Sequence, residues 1–126
     1  MKKIITTLNA PTPIGPYNQA VLANGTLYIS GQIGLYLHNM EMVKGDVKKE
    51  TEQVMENLKS VLDAVEMNFN HVVKSSIFLE NMDDFSAVNE VYGAYFDNET
   101  APARETIAVK TLPKKVRVEI SMIAIK

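Results

Sequence analysis

Residues 46–66 place Val47, Thr51, Val54, Met55, Leu58, Val61, Leu62 and Val65 on one stripe, with Lys and Glu filling the opposite side. That spacing fits one face of an α-helix and no strand, and Asp46 stands where an N-cap belongs. A second helical stripe runs from about 84 to 97 through Phe85, Val88, Tyr92, Tyr95 and Phe96, with Asp83 as its candidate cap. The remaining apolar runs, 2–6, 19–23, 26–30, 72–79, 104–110 and 116–125, are short and β-like. The order is therefore β-β-β-α-β-α-β-β. A strand–helix–strand crossover is right-handed almost without exception, so both helices fall on one face of one sheet. This predicts an α+β fold: one mixed β-sheet with two helices packed on one face. No linker or repeat divides the 126 residues, which make a single domain.

Two loops set local geometry. Three prolines in Ala10-Pro11-Thr12-Pro13-Ile14-Gly15-Pro16 exclude regular structure there. Asn24-Gly25 between β-like runs is a two-residue hairpin signal, because both positions accept positive φ. It pairs Ala23 with Thr26, Val21 with Tyr28 and Gln19 with Ser30, so Leu22, Leu27 and Ile29 share one face. The opposite sheet face has no covering element in this chain, yet it receives Val21, Tyr28, Ile123 and Ile125. An uncovered apolar face of this kind marks an interface and predicts a homo-oligomer.

Leu112-Pro113-Lys114-Lys115 reads as the turn of a closing hairpin. Its register sets Ala108 opposite Glu119, Thr106 opposite Ser121 and Arg104 opposite Ile123. Arg104, Thr106, Ala108, Glu119 and Ser121 then share the uncovered face, and Ile107, Val109, Val118, Ile120 and Met122 the helix-covered one. Arg104 and Glu119 are unusual charges on such a surface. They read either as a cross-strand interface ion pair or as a functional pair.

Composition narrows the classes. With 46% apolar and 22% charged residues the chain is ordinary globular material. Zero cysteines exclude a thiol nucleophile and thiolate metal sites. A net charge of −2 without long Lys/Arg clusters disfavours nucleic acid as a partner. No apolar run is long enough for a membrane span or a signal peptide, so a cytoplasmic protein is expected. His38 and His71 read as solvated side chains, and no metal or cofactor set emerges. Tyr92, Tyr95 and Phe96 read as core. Gly31 and Gly34 make no phosphate loop, since no lysine follows and no helix opens there.

Ile14-Gly15-Pro16-Tyr17-Asn18-Gln19-Ala20, Ser30-Gly31-Gln32-Ile33, Asn57-Leu58, Val73-Lys74, Asp84-Phe85, Val88-Asn89-Glu90-Val91-Tyr92, Pro102-Ala103-Arg104 and Leu112-Pro113 through Val118-Glu119-Ile120 resemble the RidA (YjgF-type) family across the whole chain. The resemblance implies one RidA-like domain, residues 1–126, with a chorismate-mutase-like fold. It further implies a homotrimer with ligand clefts between subunits and cofactor-free hydrolysis of reactive enamines and imines to 2-oxo acids and ammonia. By the same resemblance Arg104 binds the substrate carboxylate, Glu119 positions the hydrolytic water, and Tyr17, Ser30, Gly31, Asn89 and Thr106 line the cleft. Thr106 stands where the family has a cysteine, Asn18 where it has serine, and Ser121 where it has a second glutamate. A non-catalytic trimer that senses a 2-oxo acid is the alternative. Arg104 serves both readings, and Glu119 separates them, because a carboxylate beside a bound anion is costly unless it handles water or protons. Ribonuclease activity, also found in the family, fits poorly with so little basic charge.

Overall fold

The computed structural model describes residues 1–126. Six strands, β1 (Lys2–Ile5), β2 (Ala20–Ala23), β3 (Thr26–Gln32), β4 (Val72–Leu79), β5 (Ala103–Ala108) and β6 (Val118–Ile125), form one mixed sheet in the order β1-β2-β3-β6-β4-β5. Two helices, α1 (Val47–Asp63) and α2 (Phe85–Gly93), lie side by side on one face of it.

The β2–β3 hairpin has the register expected from Asn24-Gly25, with Ala23 opposite Thr26 and Val21 opposite Tyr28. Asn24 at φ 51° and Gly25 at φ 79° supply the positive dihedrals of that tight turn. Helix α1 starts at Asp46, whose carboxylate accepts the Lys49 N–H at 3.0 Å. Its stripe of Val54, Met55, Leu58, Val61 and Leu62 is fully buried against Leu27, Ile29, Val118, Ile120 and Met122. Helix α2 is shorter than its 84–97 stripe. Beyond Gly93 the chain tightens into three-residue turns, with the Tyr95 N–H on the Tyr92 carbonyl and the Phe96 N–H on that of Gly93. Tyr95 and Phe96 still reach the core as a cluster around Phe69, at 5.3 Å each. The cap also differs. Asn81 accepts from Asp83 and opens a 3₁₀ turn, Met82–Asp84, that leads into α2 without a cap from Asp83.

The closing hairpin does not form. β5 pairs in parallel with β4, and β6 pairs antiparallel with β4 on its other side. The connection through Pro113–Lys115 therefore passes over the end of β4, where the Glu80 N–H meets the Arg117 carbonyl and the Val109 N–H meets that of Leu79. The physical reason is the β4–α2–β5 crossover, which delivers β5 parallel and adjacent to β4. β6 then takes the remaining open side of β4. A polar Pro-containing turn looks the same in sequence whether it joins neighbours or strands two places apart, roughly 10 Å.

This topology inverts β5 relative to the expectation. Across β4, Ser75 lies opposite both Arg104 and Met122, Ile77 opposite Thr106 and Ile120, and Phe78 opposite Ile107 and Glu119. Arg104 and Thr106 thus belong to the helix-covered side, and Ile107 to the open one. The open face carries the row Ile4, Val21, Tyr28, Ile123, with Tyr28 49% and Ile125 48% exposed.

Buried polar side chains hold the loops. Glu50, 2% exposed on α1, accepts from the Arg117 Nε–H at 2.8 Å, the Arg117 N–H at 2.9 Å and the Val118 N–H at 3.2 Å. Asn57 donates to the Ile33 and Leu35 carbonyls at 3.1 and 3.2 Å. Gln19 lashes the proline loop down: it accepts from the Thr7 N–H at 2.7 Å and donates to the Ala10 and Pro11 carbonyls at 3.2 and 2.9 Å. His71 is a cap rather than a free side chain, its Nδ1 accepting from the Asn68 N–H at 3.0 Å.

Candidate functional site

The site residues expected from sequence fall into two groups on opposite sides of the sheet. The first gathers Tyr17, Ser30, Gly31 and Glu119. A bulge between Ile29 and Gln32 lifts β3 away from β6 beside Glu119. Gly31 occupies that bulge, and a Cβ there would stand 2.7 Å from both Cδ and Oε2 of Glu119. Only glycine lets the carboxylate lie flat against the strand. Ser30 donates its hydroxyl to the Asn18 carbonyl at 2.6 Å and its N–H to the Gln19 carbonyl at 3.0 Å, fixing the proline loop to the bulge. Tyr17 follows a Gly15–Tyr17 backbone turn, and its half-exposed ring borders a 30 Å³ crevice with Pro11, Pro13, Gly31, Gln32 and Leu35.

Glu119 is half-buried, and burial alone pushes its carboxyl above the ordinary glutamate range, with no cation or hydrogen bond to offset it. Glu105 on the same open face behaves oppositely. Hydrogen bonds from Ser76 and from Lys74, the latter at 2.9 Å, hold its carboxyl below the ordinary range. Of the two, Glu119 is the one that holds its proton more tightly than an ordinary glutamate, because burial disfavours its charge.

The second group sits under α2. Arg104 points from β5 to the helices, its guanidinium carbon 5.0 Å from the centroid of the Tyr92 ring and 5.7 Å from that of Phe85. It takes part in none of the four ion pairs of the chain. Beside it a 180 Å³ cavity is lined by Asn89, Tyr92, Phe96, Asn98, Pro102 and Arg104. Thr106, two residues along the same side, has a buried hydroxyl with no hydrogen-bond partner. Thr106→Val is expected to raise stability by about 1 kcal/mol, because the isostere removes an unmet polar group. Thermal unfolding of the two proteins reads this directly.

The sequence reading misses Ser75 and the second role of Tyr92. Ser75 is a fully buried serine on a core-facing strand position, and it accepts the Tyr92 hydroxyl at 2.9 Å. Its signal is a lone hydroxyl where the strand's alternation calls for an apolar residue. No group of three His, Asp or Glu side chains converges on a metal-sized site, and no helix is long and apolar enough to cross a membrane.

A family model described as Endoribonuclease L-PSP matches residues 7–126. A RutC family protein of Pyrococcus horikoshii is 48% identical over 126 residues, covering 100% of this chain and 99% of its own. A 2-iminobutanoate/2-iminopropanoate deaminase of Dermatophagoides farinae is 45% identical, covering 98% and 96%. Among solved structures, RidA of an Antarctic Psychrobacter is 40% identical with a TM-score of 0.93, covering 98% and 99%. TdcF of E. coli with bound serine is 36% identical with a TM-score of 0.91, covering 98% of each chain.

Proposed function

This chain belongs to the endoribonuclease L-PSP family, the group that includes RidA, and on that premise we propose that it hydrolyses reactive 2-aminoacrylate-type enamines and imines to 2-oxo acids and ammonia. The unpaired guanidinium of Arg104 carries the reading. An arginine beside a cavity with no carboxylate of its own is built to receive one, and its two parallel N–H donors match the two oxygens of an α-carboxylate. Deaminase-named relatives at about this identity support the same chemistry.

The two half-sites explain why more than one copy is needed. Arg104 and Glu119 lie on opposite sides of one sheet, so a small substrate touches both only if they come from different chains. Arg104 is on β5, the outermost strand, where a neighbouring copy's open face can meet it. A head-to-tail contact of this kind closes as a ring when the rotation between copies divides the circle, and a cytoplasmic homotrimer with three identical clefts satisfies it. Ser30, Gly31 and Tyr17 would then stand beside Glu119 on one copy, and Asn89 and Thr106 beside Arg104 on the next. In the reaction the imine carboxylate sits on Arg104, and Glu119 takes a proton from the water that attacks the C=N carbon. Glu119 passes that proton to the nitrogen to give a carbinolamine. The hydroxyl proton then follows the same route as the C=O forms, the C–N bond breaks and ammonia leaves, with no cofactor entering the sequence of steps.

The direct test generates fresh imine with an amino-acid oxidase and times 2-oxo-acid release against semicarbazide trapping. Release well above the spontaneous rate is expected with this protein, and Arg104→Ala should lose roughly a hundredfold in kcat/KM. Tight 2-oxo-acid binding with no acceleration would favour the sensing trimer. Two further variants probe the geometry. Gly31→Ala should fold, since only the end of the Glu119 side chain must yield. It should nevertheless lose activity by about 10²-fold, the scale of an ångström's misplacement of a catalytic group. Ile123→Glu puts a charge into the open face and should give a species near the 14.0 kDa monomer mass by light scattering.

A further inference from the structure

We propose that Tyr92 and Phe85 are positioning residues for Arg104, holding its guanidinium through their ring faces so that its N–H edge stays free for a carboxylate. This rests on the reading of Arg104 as the carboxylate anchor and names what orients it.

The arrangement follows from one row of the sheet. Ser75 on β4 is the ladder partner of Arg104 on β5, and both point toward α2. Ser75 accepts the Tyr92 hydroxyl at 2.9 Å, which pins the far end of a ring that is only 5% exposed. Phe96 packs on the same ring at 4.8 Å. The ring is therefore held at its hydroxyl and packed against Phe96, and the Arg104 guanidinium carbon lies 5.0 Å from its centre. Phe85, the first residue of α2, adds a second ring at 5.7 Å.

Rings are the suitable holders here. An arginine on an outer strand has many rotamers, and ordering it at the moment of binding would weaken affinity. A carboxylate holder would occupy the same N–H donors that the substrate needs. An aromatic face attracts the cation through its quadrupole and leaves the donor edge unoccupied. The orphan position of Ser75 is explained as well: a buried serine in a core strand is unfavourable unless bonded, and its one side-chain partner is the phenol that carries the arginine.

Solution NMR tests the contact in the intact protein without reference to activity. The chain has only two arginines, Arg104 and Arg117, and Arg117 Nε donates to Glu50. Two Nε–H resonances are expected, with that of Arg104, assigned by its loss in Arg104→Lys, displaced upfield by ring currents. Tyr92→Leu should abolish the displacement, and Phe85→Leu should reduce it. In imine hydrolysis, Tyr92→Leu and Phe85→Leu are expected to raise KM about fivefold with kcat little changed. Phe85 is a partly exposed ring, so its variant remains informative if Tyr92→Leu does not fold. An undisplaced Arg104 resonance in the wild type overturns the inference. So does an unchanged KM in Phe85→Leu when Arg104→Ala raises it strongly. A displaced resonance together with wild-type hydrolysis by Arg104→Ala overturns instead the carboxylate-anchor reading.

Discussion

Co-expressing Arg104→Ala with Glu119→Gln chains should restore activity that neither variant has alone. In Arg104→Ala the Glu119 carboxylate is intact, and in Glu119→Gln the Arg104 guanidinium is intact. The two groups sit on opposite faces of one sheet, so no single chain brings them to one small substrate. If each cleft takes its arginine from one copy and its glutamate from the next, random mixing leaves about one cleft in four with both native groups. Activity is expected to climb from about one per cent or less to roughly a quarter of wild type, a gain of about 25-fold or more against either parent. The check is steady-state imine hydrolysis on trimers that native mass spectrometry shows to be mixed. Mixed trimers as inactive as their parents would show that Arg104 and Glu119 do not meet in one cleft, and the two-copy site would be wrong.

Most of the scaffold is legible in the residues, and the part that is not is the part that splits the site. The α1 stripe, the Asp46 cap and the Asn24-Gly25 register all depend on neighbours within a few positions, where spacing and φ preference decide the outcome. The uncovered apolar face is equally readable, because alternation sorts Val21, Tyr28 and Ile123 against Leu27 and Ile29. The side taken by Arg104 and Thr106 is not. It depends on whether β5 pairs with β6 or with β4, a choice made by the handedness of a crossover and not by the turn at Leu112-Pro113. The apolar sorting of β5 offers Ile107 and Val109 as core, yet Ile107 is 46% exposed and belongs to the open face. An interface residue and a core residue have the same composition, so pattern alone does not separate them. Glu50 and Ser75 escape for a related reason: a buried polar group is recognised by its partner, and Arg117 and Tyr92 lie far away in sequence.

Glu119 is expected to be the residue whose loss is felt most in rate and least in fold. Its carboxyl lies against Gly31 with its pKa raised by burial and nothing to compensate. A raised folded-state value means that the native chain holds this proton more tightly than the unfolded chain does. The associated stability is present below the unfolded glutamate value of about 4.3 and is lost as pH rises through the higher folded value. At neutral pH the ionised group therefore works against folding. Glu119→Gln should melt higher than wild type at pH 7 and show no such advantage near pH 3.5, a comparison that thermal unfolding at the two pH values makes directly. Catalysis should move the other way. As the base for the attacking water Glu119 must be ionised, so wild-type kcat should fall at low pH along an acid limb lying above the ordinary glutamate range. Glutamine can still hold a water but cannot take its proton, so the variant should lose on the order of 10²-fold or more in kcat and lose the acid limb with it. Affinity for a 2-oxo acid, which we assign to Arg104, should survive in calorimetry. A variant that is more stable at pH 7, still binds the carboxylate and no longer hydrolyses the imine is what a residue kept for proton transfer produces. Unchanged hydrolysis in that variant would dismiss Glu119 as the base. An acid limb that persisted in it would assign the titration to a group other than Glu119.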